Sequence, residues 1–176
     1  MLWLAESNAW VAPNLRREAA SRGVAAERLV FSPSAPLPDY LARLRRADLF
    51  LDTLPYNAGA TANDALWVGL PVLTCAGETY AGRMAGSLLT AIGLPELITT
   101  SLGQYEALAV QLATEPERLV ALRQKLARNR STMPLFDIAR FTLDLETAYT
   151  RMWEIWGSGQ QPAAFAVNPS RSKACL

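Results

Sequence analysis

The chain contains no histidine, and its 176 residues include only two cysteines, Cys75 and Cys175. Without imidazole, Ser-His-Asp and Cys-His catalysis, HExxH zinc sites and histidine general bases are excluded within these residues. Two lone cysteines form neither a disulfide framework nor a metal set, so a reducing cytoplasm is expected. No apolar run reaches the length of a bilayer span, and the opening MLWLAESNAW lacks the basic start and long apolar stretch of a signal peptide. An excess of one charge is missing too. Seventeen Lys and Arg stand against sixteen Asp and Glu, a net charge of +1. That balance argues against a phosphate-reading nucleic-acid surface or an acidic solvating tail. The remaining chemistry belongs to backbone amides, carboxylates, hydroxyls, Arg and Lys.

What the sequence has is apolar material, at 51% of residues, enough for one domain or two small ones. Charge is unevenly spread. Residues 11–50 carry seven basic and four acidic side chains, and 101–156 carry seven of each. The stretch 51–100 carries five charges, Asp52, Asp64, Glu78, Arg83 and Glu96, and reads as the buried centre. Short β-like runs alternate with helical ones. Strands are expected at 1–4, 29–31, 48–52, 72–75 and 97–99. Helices are expected at 15–22, 38–46, 61–68, 79–92, 102–114, 116–130 and 136–156. Such alternation implies right-handed βαβ units and a parallel sheet, a Rossmann-like α/β fold with a helical C-terminal end. Ile138, Phe141, Leu145, Tyr149, Met152 and Trp156 recur at steps of three and four on the last helix, the spacing of a core-packing stripe. Residues 157–176 have no period and are expected to be a disordered tail.

In a doubly wound sheet, ligands sit beyond the carboxyl ends of the strands, where loops meet helix N-termini. The segment Asp52–Asp64 follows a strand and opens a helix through five small residues, Ala58–Ala62. Small side chains there let a diphosphate approach the unpaired first-turn amides. Asp64, about a turn further in, suits sugar hydroxyls. Two plainer readings stand beside this one: Thr61 and Asp64 as a capping box, or small residues serving only helix–strand packing.

A second loop, Cys75–Arg83, again links strand to helix. Arg83 either neutralises a phosphate or pairs locally with Glu78, while Cys75 reads as a small buried hydrophobe. A third, Phe31–Tyr40, holds three prolines and is either a rigid reader of a nucleobase edge or a plain connection. Arg43, Arg45 and Arg46 on the following helix read as a solvated face, with Arg43 nearer the sheet edge.

The runs LVFSPSAP, ADLFLDTLPYN, DALWVGLPVLT, GET, AGRMAGSLL, GLPELI, PLFD and YTRMW, in that order from about Leu2 to Trp156, resemble the catalytic region of the O-GlcNAc transferase (SPINDLY-like) family, glycosyltransferase family 41. The resemblance implies the C-terminal lobe of a GT-B enzyme, with residues 1–156 binding a UDP-GlcNAc-type donor without a metal. It also implies a last helix that crosses back to the N-terminal lobe. Carried over by position, Ala35 contacts the uracil through its backbone, Gly59, Ala60 and Thr61 meet the diphosphate, and Asp64 binds the ribose; Leu37 and Arg43 complete the expected donor-nucleotide-binding set.

The family's His-Thr-Thr reads Gly59-Ala60-Thr61 here, a nucleotide-contacting lysine is Leu37, and a neighbouring histidine is Tyr40. Each lost donor is expected to weaken transition-state stabilisation by a few kcal/mol. The implied partners are a UDP-sugar, an N-terminal catalytic lobe, tetratricopeptide repeats and a protein acceptor, with no nucleic acid and no membrane. Three functions follow as expectations. The first is the donor lobe of an inverting protein O-glycosyltransferase, inactive without its other lobe and part of a larger product. The others are a vestigial nucleotide-binding or interaction module, and another GT-B enzyme such as a sugar-nucleotide epimerase.

Overall fold

A computed structural model describes residues 1–6 and 8–168. Cys175 and the last eight residues of the expected tail lie outside that range. The chain divides into two compact units, Met1–Arg46 and Ala47–Leu176.

The first unit is a βαβ unit followed by a helix: β1 (Leu2–Ala5), α1 (Val11–Ser21), a 3-10 turn (Ala26–Arg28), β2 (Leu29–Ser32) and α2 (Leu37–Leu44). β1 and β2 are parallel, with Leu2 opposite Leu29 and Ala5 opposite Ser32. Parallel neighbours need a long crossover, which α1 provides. The crossover helix begins four residues before the expected Leu15. Its start is set by Asn8, whose Oδ1 accepts from the amides of Trp10 at 2.9 Å and Val11 at 3.1 Å. Pro13 is tolerated because a first-turn N–H has no helical partner anyway. The helix ends before Gly23, which takes a φ of +75°. On its inner face Arg16 lies over the Phe31 ring at 5.0 Å.

The second unit contains a three-stranded parallel sheet in the order β3-β4-β5, from β3 (Phe50–Leu51), β4 (Val72–Cys75) and β5 (Ile98–Thr99). Phe50 pairs with Val72, and Cys75 with Thr99. Every residue of β4 is buried, as a continuous apolar run in the middle of a parallel sheet must be. α3 (Ala60–Val68) connects β3 to β4, and α4 (Met84–Ala91) connects β4 to β5. α5 (Leu102–Thr114), α6 (Pro116–Asn129) and α7 (Ile138–Gly157) follow. The core is fully buried Leu66, Leu73, Leu89, Ile92, Leu112 and Leu126. α3 stops at Gly69, whose φ of +89° turns the chain so that the Leu70 amide reaches back to Ala65 O. Near that end Trp67 meets Phe136 edge-on, with centroids 5.1 Å apart, and the Arg130 guanidinium lies 5.1 Å from the same indole.

The expected α/β class, parallel strands and helical C-terminal end are all present. Two expectations on the helices are corrected. The helix expected at 79–92 is a 3-10 turn, Ala81–Arg83, followed by α4 from Met84. Its first residues are diverted because Thr79 Oγ1 accepts the Gly82 amide at 3.0 Å and the Gly77 amide donates to Gly82 O at 2.7 Å. The larger correction concerns α7. Ile138, Phe141, Tyr149, Met152 and Trp156 are each more than half exposed, and Leu145 is 38% exposed. Ile155 is the only buried residue of this helix among those described. The periodic stripe is real but does not pack into this unit's core.

Residues 158–168 form no helix or strand. No helix among the described residues is long and apolar enough to cross a membrane.

Candidate functional site

The carboxyl ends of β3, β4 and β5 run into the loops at Asp52, Ala76 and Thr100, so the polar groups of this edge come from three neighbouring strands. At its centre is Asp52, only 5% exposed although ionisable. Burying a carboxylate is costly unless donors surround it. Here Oδ1 accepts from the amides of Thr53 at 2.8 Å and Ala58 at 2.7 Å, and Oδ2 accepts the Thr74 hydroxyl at 2.6 Å. The backbone carbonyl of Asp52 takes the Tyr105 hydroxyl, from α5, at 2.9 Å. Partial burial first, and then the neighbouring Asp52 and Cys75, push the Tyr105 phenol up to about 12, so it stays a donor.

Asp52 therefore closes the loop 53–58 on itself, one residue before Gly59, the N-cap of α3. Asn57 ties the same loop to β4. Its Nδ2 donates to Thr53 O at 3.0 Å and Cys75 O at 3.5 Å, while its buried Oδ1 has no partner among the described residues. The loop also meets the one after β4, through Asn57 N to Ala81 O at 3.2 Å. A side chain at Gly82 would come within 3.2 Å of Pro55 O, a tight contact that glycine avoids.

α3 begins with no side-chain cap. Its first bond back to the cap is Asn63 N to Gly59 O at 3.0 Å, which leaves the amides of Ala60, Thr61 and Ala62 unpaired among the described residues. The capping-box reading is thereby overturned: Thr61 is the second helical residue and cannot cap, and Asp64 makes no capping bond. The packing reading holds for Ala62, which is fully buried, but not for Ala60 and Thr61, which are exposed. Asp64 is half-buried and has no hydrogen-bond or ion-pair partner among the described residues. At Gly59 a Cβ would sit 3.4 Å from Met84 Cγ.

Arg83 bonds the backbone carbonyl of Glu78, so the local attachment is made without the Glu78 carboxylate. Cys75 is a buried free thiol, as a small hydrophobe would be.

In the first unit, Ala35 is half-buried in the β2–α2 loop and Leu37 is exposed in the first turn of α2. Arg43 is not part of a purely solvated face. Its Nη1 donates to Pro33 O at 2.8 Å and pins the proline loop. The structure thus gathers Gly59, Ala60, Thr61 and Asp64 at one helix start, and Ala35, Leu37 and Arg43 around one loop.

Asp52 and Asn57 lie within the expected loop but carry no expected role in it, and Tyr105 is not among the expected site residues. Tyr105 lies 53 residues from its acceptor and gave no local signal. Among the described residues no three His, Cys, Asp or Glu side chains come together as a metal set. A shallow groove of about 350 Å³ beside α6 is lined by Glu96, Arg118, Lys125 and Arg128. Lys125 is spent on Glu96 there at 2.7 Å, so that groove is the weaker candidate.

The family model for glycosyl transferase family 41 matches residues 1–145. The chain belongs to glycosyl transferase family 41. Among the relatives of this family 41 chain is the probable UDP-N-acetylglucosamine–peptide N-acetylglucosaminyltransferase SEC of Arabidopsis thaliana. It is 40% identical over 167 residues, covering 94% of this chain and 17% of the relative. The UDP-N-acetylglucosamine–peptide N-acetylglucosaminyltransferase of Caenorhabditis elegans is 34% identical over 159 residues, covering 90% of this chain and 14% of the relative. The fold is similar to that of a Thermobaculum terrenum O-GlcNAc transferase mutant, with a TM-score of 0.80 and 38% identity. That match covers 86% of this chain and 30% of the solved one. This family 41 chain therefore spans less than a fifth of these curated relatives.

Proposed function

We propose that this family 41 chain is the donor-binding part of a protein O-glycosyltransferase, the C-terminal lobe of a GT-B catalytic core. Its donor is a UDP-GlcNAc-type nucleotide sugar, and the acceptor is a protein Ser or Thr hydroxyl. The observation that carries the reading is the start of α3: three unpaired amides at the carboxyl edge of a parallel sheet, with unpartnered Asp64 one turn deeper.

Gly59, Ala60 and Thr61 receive the diphosphate, and Asp64 accepts hydrogen bonds from the ribose. As the bond from the sugar carbon to the β-phosphate oxygen breaks, negative charge grows on the departing UDP. The helix N-terminus stabilises that charge without a metal. The acceptor oxygen attacks from the opposite face, which inverts the sugar carbon. In the first unit, Arg43 holds the proline loop that carries Ala35 through its bond to Pro33 O.

A second reading, a module that binds donor without turnover, is favoured by one observation. Apolar Leu37 is 60% exposed at the position where the resemblance implies a nucleotide-contacting lysine.

Calorimetric titration of UDP into the purified chain tests the donor assignment. Wild type is expected to bind in the millimolar range or tighter, and Asp64→Ala to lose about tenfold, the worth of a charged hydrogen bond. No binding by wild type, or equal binding by Asp64→Ala, rejects the assignment.

A further inference from the structure

The start of α3 is held by a device centred on two buried side chains, Asp52 and Thr74. Asp52 is buried, and its two carboxylate oxygens are filled by three protein donors: two amides of its own loop and the hydroxyl of Thr74 on the central strand. The second of those amides belongs to Ala58, the last residue before the cap of α3. The position of that cap, and of the three free amides behind it, therefore follows the position of the carboxylate. The carboxylate is in turn fixed from below. Thr74 Oγ1 ties it to β4, and Tyr105 on α5 bonds the carbonyl of the same residue at 2.9 Å.

We propose that Asp52 and Tyr105 are positioning residues for the anion site at the start of α3, acting through geometry and not through charge; this rests on the donor-binding reading above. The carboxylate contributes acceptor lone pairs at fixed places. Its negative charge, close to where a diphosphate would lie, opposes binding. An asparagine would retain the useful part. Its Oδ1 can accept both amides, and its Nδ2 can donate to Thr74 Oγ1 once the threonine hydroxyl rotates away. Asp52→Asn is therefore expected to preserve the device and remove the repulsion. Asp52→Ala removes both and leaves the Ala58 amide without its acceptor.

The experiment measures UDP affinity of the full chain by calorimetry, well below the unfolding temperature of each variant. Amide hydrogen exchange at residues 58–62 is followed in parallel. Asp52→Asn is expected to bind UDP at least as tightly as wild type. Asp52→Ala is expected to bind about tenfold more weakly and Tyr105→Phe about threefold more weakly, the range for a lost hydrogen bond. Both weakened variants should exchange the Ala58 amide faster, whereas Asp52→Asn should protect it. If Asp52→Ala does not fold, Tyr105→Phe and Thr74→Val carry the test, since each removes a single bond.

Two outcomes overturn the proposal alone: variants that lose thermal stability while binding UDP as wild type does, or Asp52→Asn as weak as Asp52→Ala. Wild type that takes no UDP overturns the donor reading, and the positioning role falls with it.

Discussion

At the scale of single residues, the site depends on polar groups that are buried and paired. Tyr105 gives this a pH signature. Its phenol is pushed up to about 12 in the folded chain from a usual value near 10, because it is half-buried and faces Asp52 and Cys75. Below pH 10 both folded and unfolded chains keep the proton, and stability does not depend on this group. Between pH 10 and 12 the unfolded chain releases the proton while the folded chain retains it, so stability falls as pH rises and levels off above 12. Urea melts across that window should show the decline in wild type and a shallower one in Tyr105→Phe. Asn57 illustrates the opposite kind of residue. Its amide donates twice, but its buried Oδ1 finds no donor among the described residues. Neither residue announced itself in the sequence, because Tyr105 bonds a residue 53 positions away and Asn57 reaches across to Cys75 on β4.

At the scale of elements, hydrophobic periodicity identified helices well but not what covers them. β2, β4 and β5 lie within a residue or two of the expected runs, because a short apolar run between turn residues has few alternatives. The α3 start was also legible, because small residues after a strand are a local signal. The α7 stripe misled because a 3.6-residue period reports a sided helix, not the identity of its neighbour. Its side chains contribute little to this chain's stability. Phe141→Ser and Trp156→Ser should shift the unfolding free energy by no more than about 0.5 kcal/mol, as surface changes do. Leu126→Ala, at a fully buried position on α6, should cost about 2–5 kcal/mol. Denaturant midpoints of the three variants check the contrast. A large loss at Phe141 or Trp156 would mean the stripe is packed in solution.

At the scale of the whole molecule, two compact units together make up a small share of the relatives' length. Acceptor recognition and the removal of the acceptor hydroxyl proton are not assigned to any residue of this chain. The chain alone should therefore bind UDP without consuming UDP-GlcNAc. Incubation with radiolabelled donor should release no sugar above the uncatalysed rate, with or without added peptide. Turnover would show that the described residues hold a complete active centre.

One packing detail makes the proposed site observable by light. Trp67 shares the rigid rod of α3 with Ala60, about 10 Å away along the axis. The indole is fixed there between the edge of Phe136 and the guanidinium of Arg130. Any change in the spacing of that cation and the ring would alter the surroundings of the indole. Of the five tryptophans, Trp67 alone lies on this helix, and Trp3, Trp10, Trp153 and Trp156 lie on or beside β1, α1 and α7. A chain in which those four are phenylalanine would carry a single tryptophan two turns from the proposed anion site.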